Sequence, residues 1–212
     1  MRKVIFLDID GVLNNEQFHK NWMIQHTTPH TNFEDRDRDE LYLENRFDSM
    51  FVNVTCSPFF NGYIAPDNLE QWNRLVDELG DAEIILSSDW RFIQDGTYSN
   101  LAHIDMVREL FERRGIKGNV IGSTPYIKDH DRATEIIEYI KQHLEDFTKE
   151  DVLVVIYDDL DIAAKLSMLL KELKGKYFQK TLLTVNFIMT YNQIGLTEED
   201  RLVALSWFNS RR

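Results

Sequence analysis

Read only for apolar and polar positions, the chain switches repeatedly between two patterns. Residues 3–8, "KVIFLD", run apolar without alternation, as a strand buried on both faces does. Residues 65–80, "APDNLEQWNRLVDELG", place Leu69, Trp72, Leu75, Val76 and Leu79 on one helical stripe, with Asp67 as candidate cap and Gly80 as stop. A second buried strand, "AEIILSS" (82–88), follows, then an amphipathic helix over 101–115 and a short strand, "GNVIG" (118–122). The pattern next predicts a helix over 131–145, a strong strand "DVLVVIYDD" (151–159), and a helix over 161–175. A strand "TLLTVNF" (181–187) and a closing helix over 197–208, capped by Thr197, complete the series.

Strands alternating with helices of this length predict a parallel sheet with right-handed crossovers, hence a three-layer, Rossmann-like α/β domain. One stretch breaks the alternation. Residues 15–62 are polar and irregularly spaced, contain "FEDRDRDE" (33–40), and scatter aromatics such as Phe18, Trp22, Phe33, Tyr42 and Phe59. A connection this long inside a compact domain is usually functional, and aromatics need something to pack against. The expected organisation is a core of residues 1–14 and 63–212, with 15–62 inserted after the first strand as a cap over the strand ends.

Composition narrows the function. The 212 residues carry 24 basic and 36 acidic side chains, a net charge of −12, which argues against a general electrostatic grip on long duplex nucleic acid or an anionic membrane. The apolar run near the N-terminus is cut by Asp8, too short for a signal peptide or a membrane span, and Cys56 is alone, so a cytoplasmic protein is expected.

The chemistry sits where strands end. Asp8 and Asp10 close the first strand around Gly11, Ser87 and Ser88 close the second, and Asp158 and Asp159 close the strong strand of 151–159. In open α/β sheets ligands bind outside the carboxyl ends of strands, so one fold brings all of these to one edge. Carboxylates gathered there repel one another unless a cation neutralises them, and an all-oxygen set suits Mg²⁺ bound together with a substrate phosphate. A single acid pair reads as a helix or turn cap; two pairs at corresponding strand ends read as an active site.

On "FLDIDGV" (6–12), "IILSS" (84–88) and "VVIYDD" (154–159), the chain resembles the haloacid dehalogenase (HAD) superfamily of Mg²⁺-dependent phosphohydrolases. The resemblance implies Asp8 as the nucleophile that becomes an aspartyl phosphate, and Asp10 as general acid/base, with its backbone carbonyl a metal ligand. It implies Ser87 or Ser88 as the hydroxyl that holds the phosphoryl group. It implies Asp8, Asp10, Asp158 and Asp159 as the magnesium shell, and a cap in the C1-type position. The superfamily also expects a basic residue ahead of its fourth motif. Lys128 and Arg132 are the candidates, and Arg132, able to grip a phosphate with two parallel bonds, is preferred. The order "LSSDWR", "RATEIIEYI", "IYDDLD", "IGLTEEDRLVAL" further resembles a HAD subgroup that includes phosphatase domains associated with RNA-repair proteins. The expected activity is therefore hydrolysis of a phosphomonoester, on a small phosphorylated molecule, a nucleotide or an oligonucleotide end. A phosphotransferase or mutase, or a binding module without turnover, are the alternatives; oligomeric state is not predicted.

Other residues were weighed against plainer roles. Arg91 is expected to project over the site and hold a substrate's phosphate or leaving group, against a surface ion pair. Trp90 has the choice of stacking on a base or anchoring the loop, the commoner role for tryptophan. His26, His30 and Cys56 make a poor zinc set. Arg36 and Arg38 lie in a run that reads as a solvated face, from which they reach substrate only if the cap closes.

Overall fold

The computed structural model describes residues 1–18, 20–21, 64–92, 101–127 and 131–211. All but the first few residues of the 15–62 insertion lie outside that set, and with them His26, His30, Arg36, Arg38 and Cys56; so does Lys128. The described strands are β1 (Arg2–Leu7), β2 (Glu83–Leu86), β3 (Asn119–Ser123), β4 (Val152–Asp158) and β5 (Leu183–Met189). The helices are α1 (Pro66–Leu79), α2 (Ile104–Arg113), α3 (Arg132–Gln142), α4 (Leu144–Thr148), α5 (Ala163–Tyr177) and α6 (Glu198–Asn209).

All strand pairs are parallel, in the order β3-β2-β1-β4-β5. The unbroken apolar runs are explained by burial on both faces. Ile5 and Leu7 of β1, with Leu153, Val155 and Tyr157 of β4, join a core that includes Trp72 and Leu75 of α1, Val107 of α2 and Phe208 of α6. Val4, Phe6, Val154 and Ile156 point the other way, onto Ile136 and Ile140 of α3, Phe147 of α4 and Leu170 of α5. Each such side chain contributes on the order of 1.5–3 kcal/mol on burial, so the central strands hold both layers to the sheet. No helix among the described residues is long and apolar enough to cross a membrane.

Local differences from the sequence expectations have simple causes. Asp67 does not cap α1: Ala65 stands at the N-cap without a side-chain bond, and Pro66, whose missing N–H costs nothing there, starts the helix. The single helix expected over 131–145 breaks at His143 into α3 and α4. The last strand runs two residues further than its apolar pattern, ending beside Asp158 at Met189. Thr197 caps α6 as expected, in a reciprocal box with Asp200.

Strand order reverses between β1 and β4, the place where doubly wound sheets open a crevice. The register aligns Leu7 with both Leu86 and Tyr157. Sheet hydrogen bonds then continue one residue past the strands: Asp8 donates its N–H to the Tyr157 carbonyl at 3.0 Å, Ser87 to Leu7 at 2.8 Å, and Thr190 to Asp158 at 3.0 Å. Acids distant in sequence are thereby set side by side on one rim.

Candidate active site

The first turn after β1 is shaped by two close approaches. Gly11 adopts φ +72°, and a Cβ there would overlap the Asp159 carboxyl group, so glycine alone fits without displacing that acid. The Gly11 N–H donates to Asn14 Oδ1 at 3.1 Å, and its carbonyl accepts the Thr190 hydroxyl at 2.8 Å. The chain thus doubles back, and Asp10 stays on the same side of the rim as Asp8.

Oxygens of Asp8, Asp158 and Asp159 lie within 4.8 Å of one another. Asp8 and Asp158 are buried and Asp159 is half-buried. Asp158 spends Oδ1 on the Leu160 N–H at 3.0 Å, while its buried Oδ2 has no hydrogen-bond partner among the described residues. Three carboxylates close together, one oxygen of which has no hydrogen bond and only the Arg132 ion pair at 3.5 Å, form the all-oxygen donor set a hard divalent cation takes, so these residues fit Mg²⁺. The Asp10 carboxylate stands apart from the triad: it accepts Asn14 Nδ2 at 2.7 Å and Trp90 Nε1 at 3.1 and 3.2 Å.

Crowding moves the acids upward. Burial, and then the Asp8 charge, push Asp158 up to about 8, Asp10 up to about 7 and Asp159 up to about 6. Burial also raises Asp8, against the opposing pull of Arg132, the Ser88 hydroxyl and the Ile9 N–H. Burial dominates both Asp8 and Asp10, but their next influences differ: the Arg132 cation pulls Asp8 down, whereas the Asp8 charge pushes Asp10 further up.

Arg132 opens α3 and reaches across the cluster. Its guanidinium lies 3.5 Å from Asp158, 3.9 Å from Asp8, 4.0 Å from Asp89 and 3.5 Å from Glu135. Burial opposes its charge, but Asp8, then Asp158, Asp89 and Glu135 outweigh that and hold it firmly protonated. The helix start is fixed from outside the site: Asp131 accepts both the Thr134 hydroxyl and Lys165 of α5.

The serine register, left open by the sequence, separates in space. The Ser88 hydroxyl is the one that helps hold the Asp8 pKa down, and it accepts the Trp90 backbone N–H at 3.4 Å, whereas the buried Ser87 hydroxyl has no hydrogen-bond partner among the described residues. Of the two, Ser88 is the better candidate for the second-motif hydroxyl.

Arg91 requires a correction. It does not project over the rim to meet substrate; it is fully buried. Nη2 bonds Glu135 at 2.8 Å, Nη1 bonds the Ser88 carbonyl at 2.6 Å, and the guanidinium lies 4.6 Å from the Phe92 ring centre. A 3₁₀ turn over Asp89–Arg91, begun by Ser88, carries the side chain inward. Trp90, 1% exposed and part of the core, anchors this turn and has no face open for stacking a base.

Glu135 escaped the sequence reading. It is buried, accepts the Ile127 N–H at 3.1 Å as well as Arg91, and lies beside Arg132. A signal existed: an acid among Ile136, Tyr139 and Ile140 on the apolar stripe of a helix needs a buried cation. Asn14, Asp89 and Thr190 were likewise missed, each short and polar in a loop, where pattern carries little.

Comparison with known proteins gives a family and little else. A family model described as "HAD domain in Swiss Army Knife RNA repair proteins" matches residues 4–201. No curated protein matches the chain. Among solved structures, the HAD domain of effector protein Lem4 from Legionella pneumophila aligns with a TM-score of 0.45 and 12% identity, over 99% of this chain and 93% of that one. That likeness is too slight to assign any residue a role.

Proposed function

The chain belongs to the family of HAD domains found in Swiss Army Knife RNA repair proteins, and from that premise we propose that it is a Mg²⁺-dependent phosphomonoester hydrolase using Asp8 as nucleophile. The observation that carries the reading is the convergence on one rim of Asp8, Asp10, Ser88, Arg132, Asp158 and Asp159 from four separate chain segments.

Asp8, Asp158 and Asp159 would hold the cation, with the Asp10 backbone carbonyl. The cation would supply charge neutralisation for the triad and for the phosphoryl oxygens. Asp8 attacks phosphorus in line, forming the aspartyl phosphate as the ester P–O bond breaks. Arg132 and the Ser88 hydroxyl hold the equatorial oxygens while charge builds on them. Asp10 gives its proton to the departing ester oxygen, which leaves as an alcohol. It then takes a proton from the water that attacks phosphorus, releasing inorganic phosphate and restoring Asp8. A pKa near 7 suits a group that must both give and accept a proton.

The substrate class follows from the family's RNA-repair association: a 5′- or 3′-phosphate on a nucleotide or short oligonucleotide. The net charge of −12 disfavours a long duplex. The test is a screen for phosphate release from nucleotides, 5′- and 3′-phosphorylated oligonucleotides and sugar phosphates, with Mg²⁺, using wild type and Asp8→Asn. Release that ceases in Asp8→Asn supports the proposal, strongest on oligonucleotide ends. No turnover would make the chain a binding module, transfer of phosphate to an added alcohol would make it a phosphotransferase, and turnover surviving in Asp8→Asn would remove the nucleophile.

A further inference from the structure

The acid/base residue is held from behind by two neutral donors. Trp90 lies in the core, and its indole N–H reaches out of that core to both Asp10 oxygens, at 3.1 and 3.2 Å. From the opposite side of the turn, Asn14 Nδ2 reaches Oδ1 at 2.7 Å, and Asn14 Oδ1 is itself fixed by the Gly11 N–H at 3.1 Å. The tryptophan has little freedom to do otherwise. Its turn is capped by Ser88, whose carbonyl is gripped by the buried Arg91. Both donors stay neutral in every protonation state of Asp10, so they fix its direction while lowering its pKa only enough to offset part of the rise from burial and Asp8. A cationic donor in either place would hold the carboxylate ionised and remove its capacity to give a proton.

We infer that Trp90 and Asn14 are positioning residues that keep the Asp10 carboxyl group turned away from the Asp8–Asp158–Asp159 triad and toward the leaving-group oxygen. The inference rests on the phosphohydrolase reading above and adds specificity-determining residues to it. It also explains why Asp10, one residue removed from Asp8, contributes no carboxylate oxygen to the triad. A freely rotating Asp10 would compete as a ligand and lose its line to the ester. Misplacement of a catalytic group by about 1 Å costs up to about a hundredfold.

A merely structural tryptophan predicts equal losses on every substrate; a positioning one does not. Esters with a good leaving group, such as 2,4-dinitrophenyl phosphate, need no proton to depart, whereas phenyl phosphate does. The experiment measures kcat/KM on both esters for wild type, Asp10→Asn, Trp90→Phe and Asn14→Ala, with melting curves to establish that each is folded. Trp90→Phe is expected to lose about ten- to a hundredfold on phenyl phosphate and less than about threefold on 2,4-dinitrophenyl phosphate. Asn14→Ala, which spares the apolar core although it also frees the Gly11 N–H, is expected to show the same selectivity and, where its melting curve shows it folded, decides the matter if Trp90→Phe does not fold. Parallel losses on the two esters in the folded variants, while Asp10→Asn remains selective, would overturn the positioning role alone. Absence of selectivity in Asp10→Asn, or of Asp8-dependent turnover in wild type, would overturn the phosphohydrolase assignment and this inference with it.

Discussion

Removing divalent metal should make the fold weaken as pH rises through neutrality, and Mg²⁺ should reverse the trend. Asp158 is pushed up to about 8 by burial and by Asp8, while in an unfolded chain the same carboxyl titrates near its ordinary 3.8. Between those values the folded Asp8–Asp158 pair binds a proton that the unfolded chain has released. Stability then falls with pH, by about 1.4 kcal/mol per unit for one retained proton. The contribution is complete below about 4 and is lost by about 8, the reverse of the usual salt-bridged aspartate. From pH 5 to 7 one such proton accounts for a loss of about 3 kcal/mol, a drop in Tm of about 6–12 °C for a chain of this size, and the raised Asp10 and Asp159 deepen the fall. Mg²⁺ competes with that proton for the same oxygens; at a hundred times its Kd it adds about 2.7 kcal/mol. Its stabilisation should therefore be larger at pH 7.5 than at pH 5. Thermal melts from pH 5 to 8 in a chelator, repeated with Mg²⁺ and with Asp8→Asn, measure each part. A metal-free Tm that is flat or climbs over that range would refute the coupled cluster, as would a Mg²⁺ effect independent of pH. Asp8→Asn should reduce the metal-free slope without abolishing it, because it removes the Asp8 charge while burial still raises Asp158.

Further outcomes follow from individual residues. Arg132→Ala should lower kcat/KM by about 10²–10³-fold, as loss of one preorganised charge stabiliser does, with Arg132→Lys recovering only part; steady-state kinetics decides. Arg91→Met should destabilise by up to about 3–5 kcal/mol in urea titrations, because it leaves the buried Glu135 charge only the Ile127 N–H and the more distant Arg132, while KM of the folded protein stays unchanged. A stable Arg91 variant with a raised KM would return Arg91 to the substrate. Gly11→Ala combines a left-handed φ with overlap on Asp159, so it should cost about 1–3 kcal/mol and abolish the Mg²⁺-induced rise in Tm. Thr197→Ala, remote from the rim, should cost about 1 kcal/mol through the lost capping box and leave turnover intact.

What the sequence revealed and what it hid divide along physical lines. Strands buried on both faces declare themselves as apolar runs, so β1, β2 and β4 were legible to within a residue or two, and the parallel sheet with them. Because Asp8, Ser87 and Asp158 directly follow or end those runs, their convergence could be read from connectivity alone. Side-chain direction could not. Arg91 follows the second motif just where an outward cation would serve a phosphate, yet one 3₁₀ turn sends it into the core. Whether Ser87 or Ser88 faces Asp8 is a one-residue matter, and in an extended chain one residue exchanges the two faces. Glu135 was hidden because its partner in space is 44 positions away in sequence.

The two arginines that share Glu135 show how the fold separates scaffold from site. Arg91 has close acceptors, Ser88 O at 2.6 Å and Glu135 at 2.8 Å, and is sealed from water. Arg132 meets four carboxylates, none nearer than 3.5 Å, and its Nε and Nη1 have no hydrogen-bond partner among the described residues. Its charge is held by the surrounding field while its donors remain unspent. Arg91 leaves its Nε unpaired too, but Arg132 leaves two donors unpaired beside the acid rim, and buried donors without acceptors are costly. A phosphoryl group offers the parallel oxygens a guanidinium fork can use. Glu135, close to Arg91 and farther from Arg132, ties one arginine to the scaffold and leaves the donors of the other unspent at the rim.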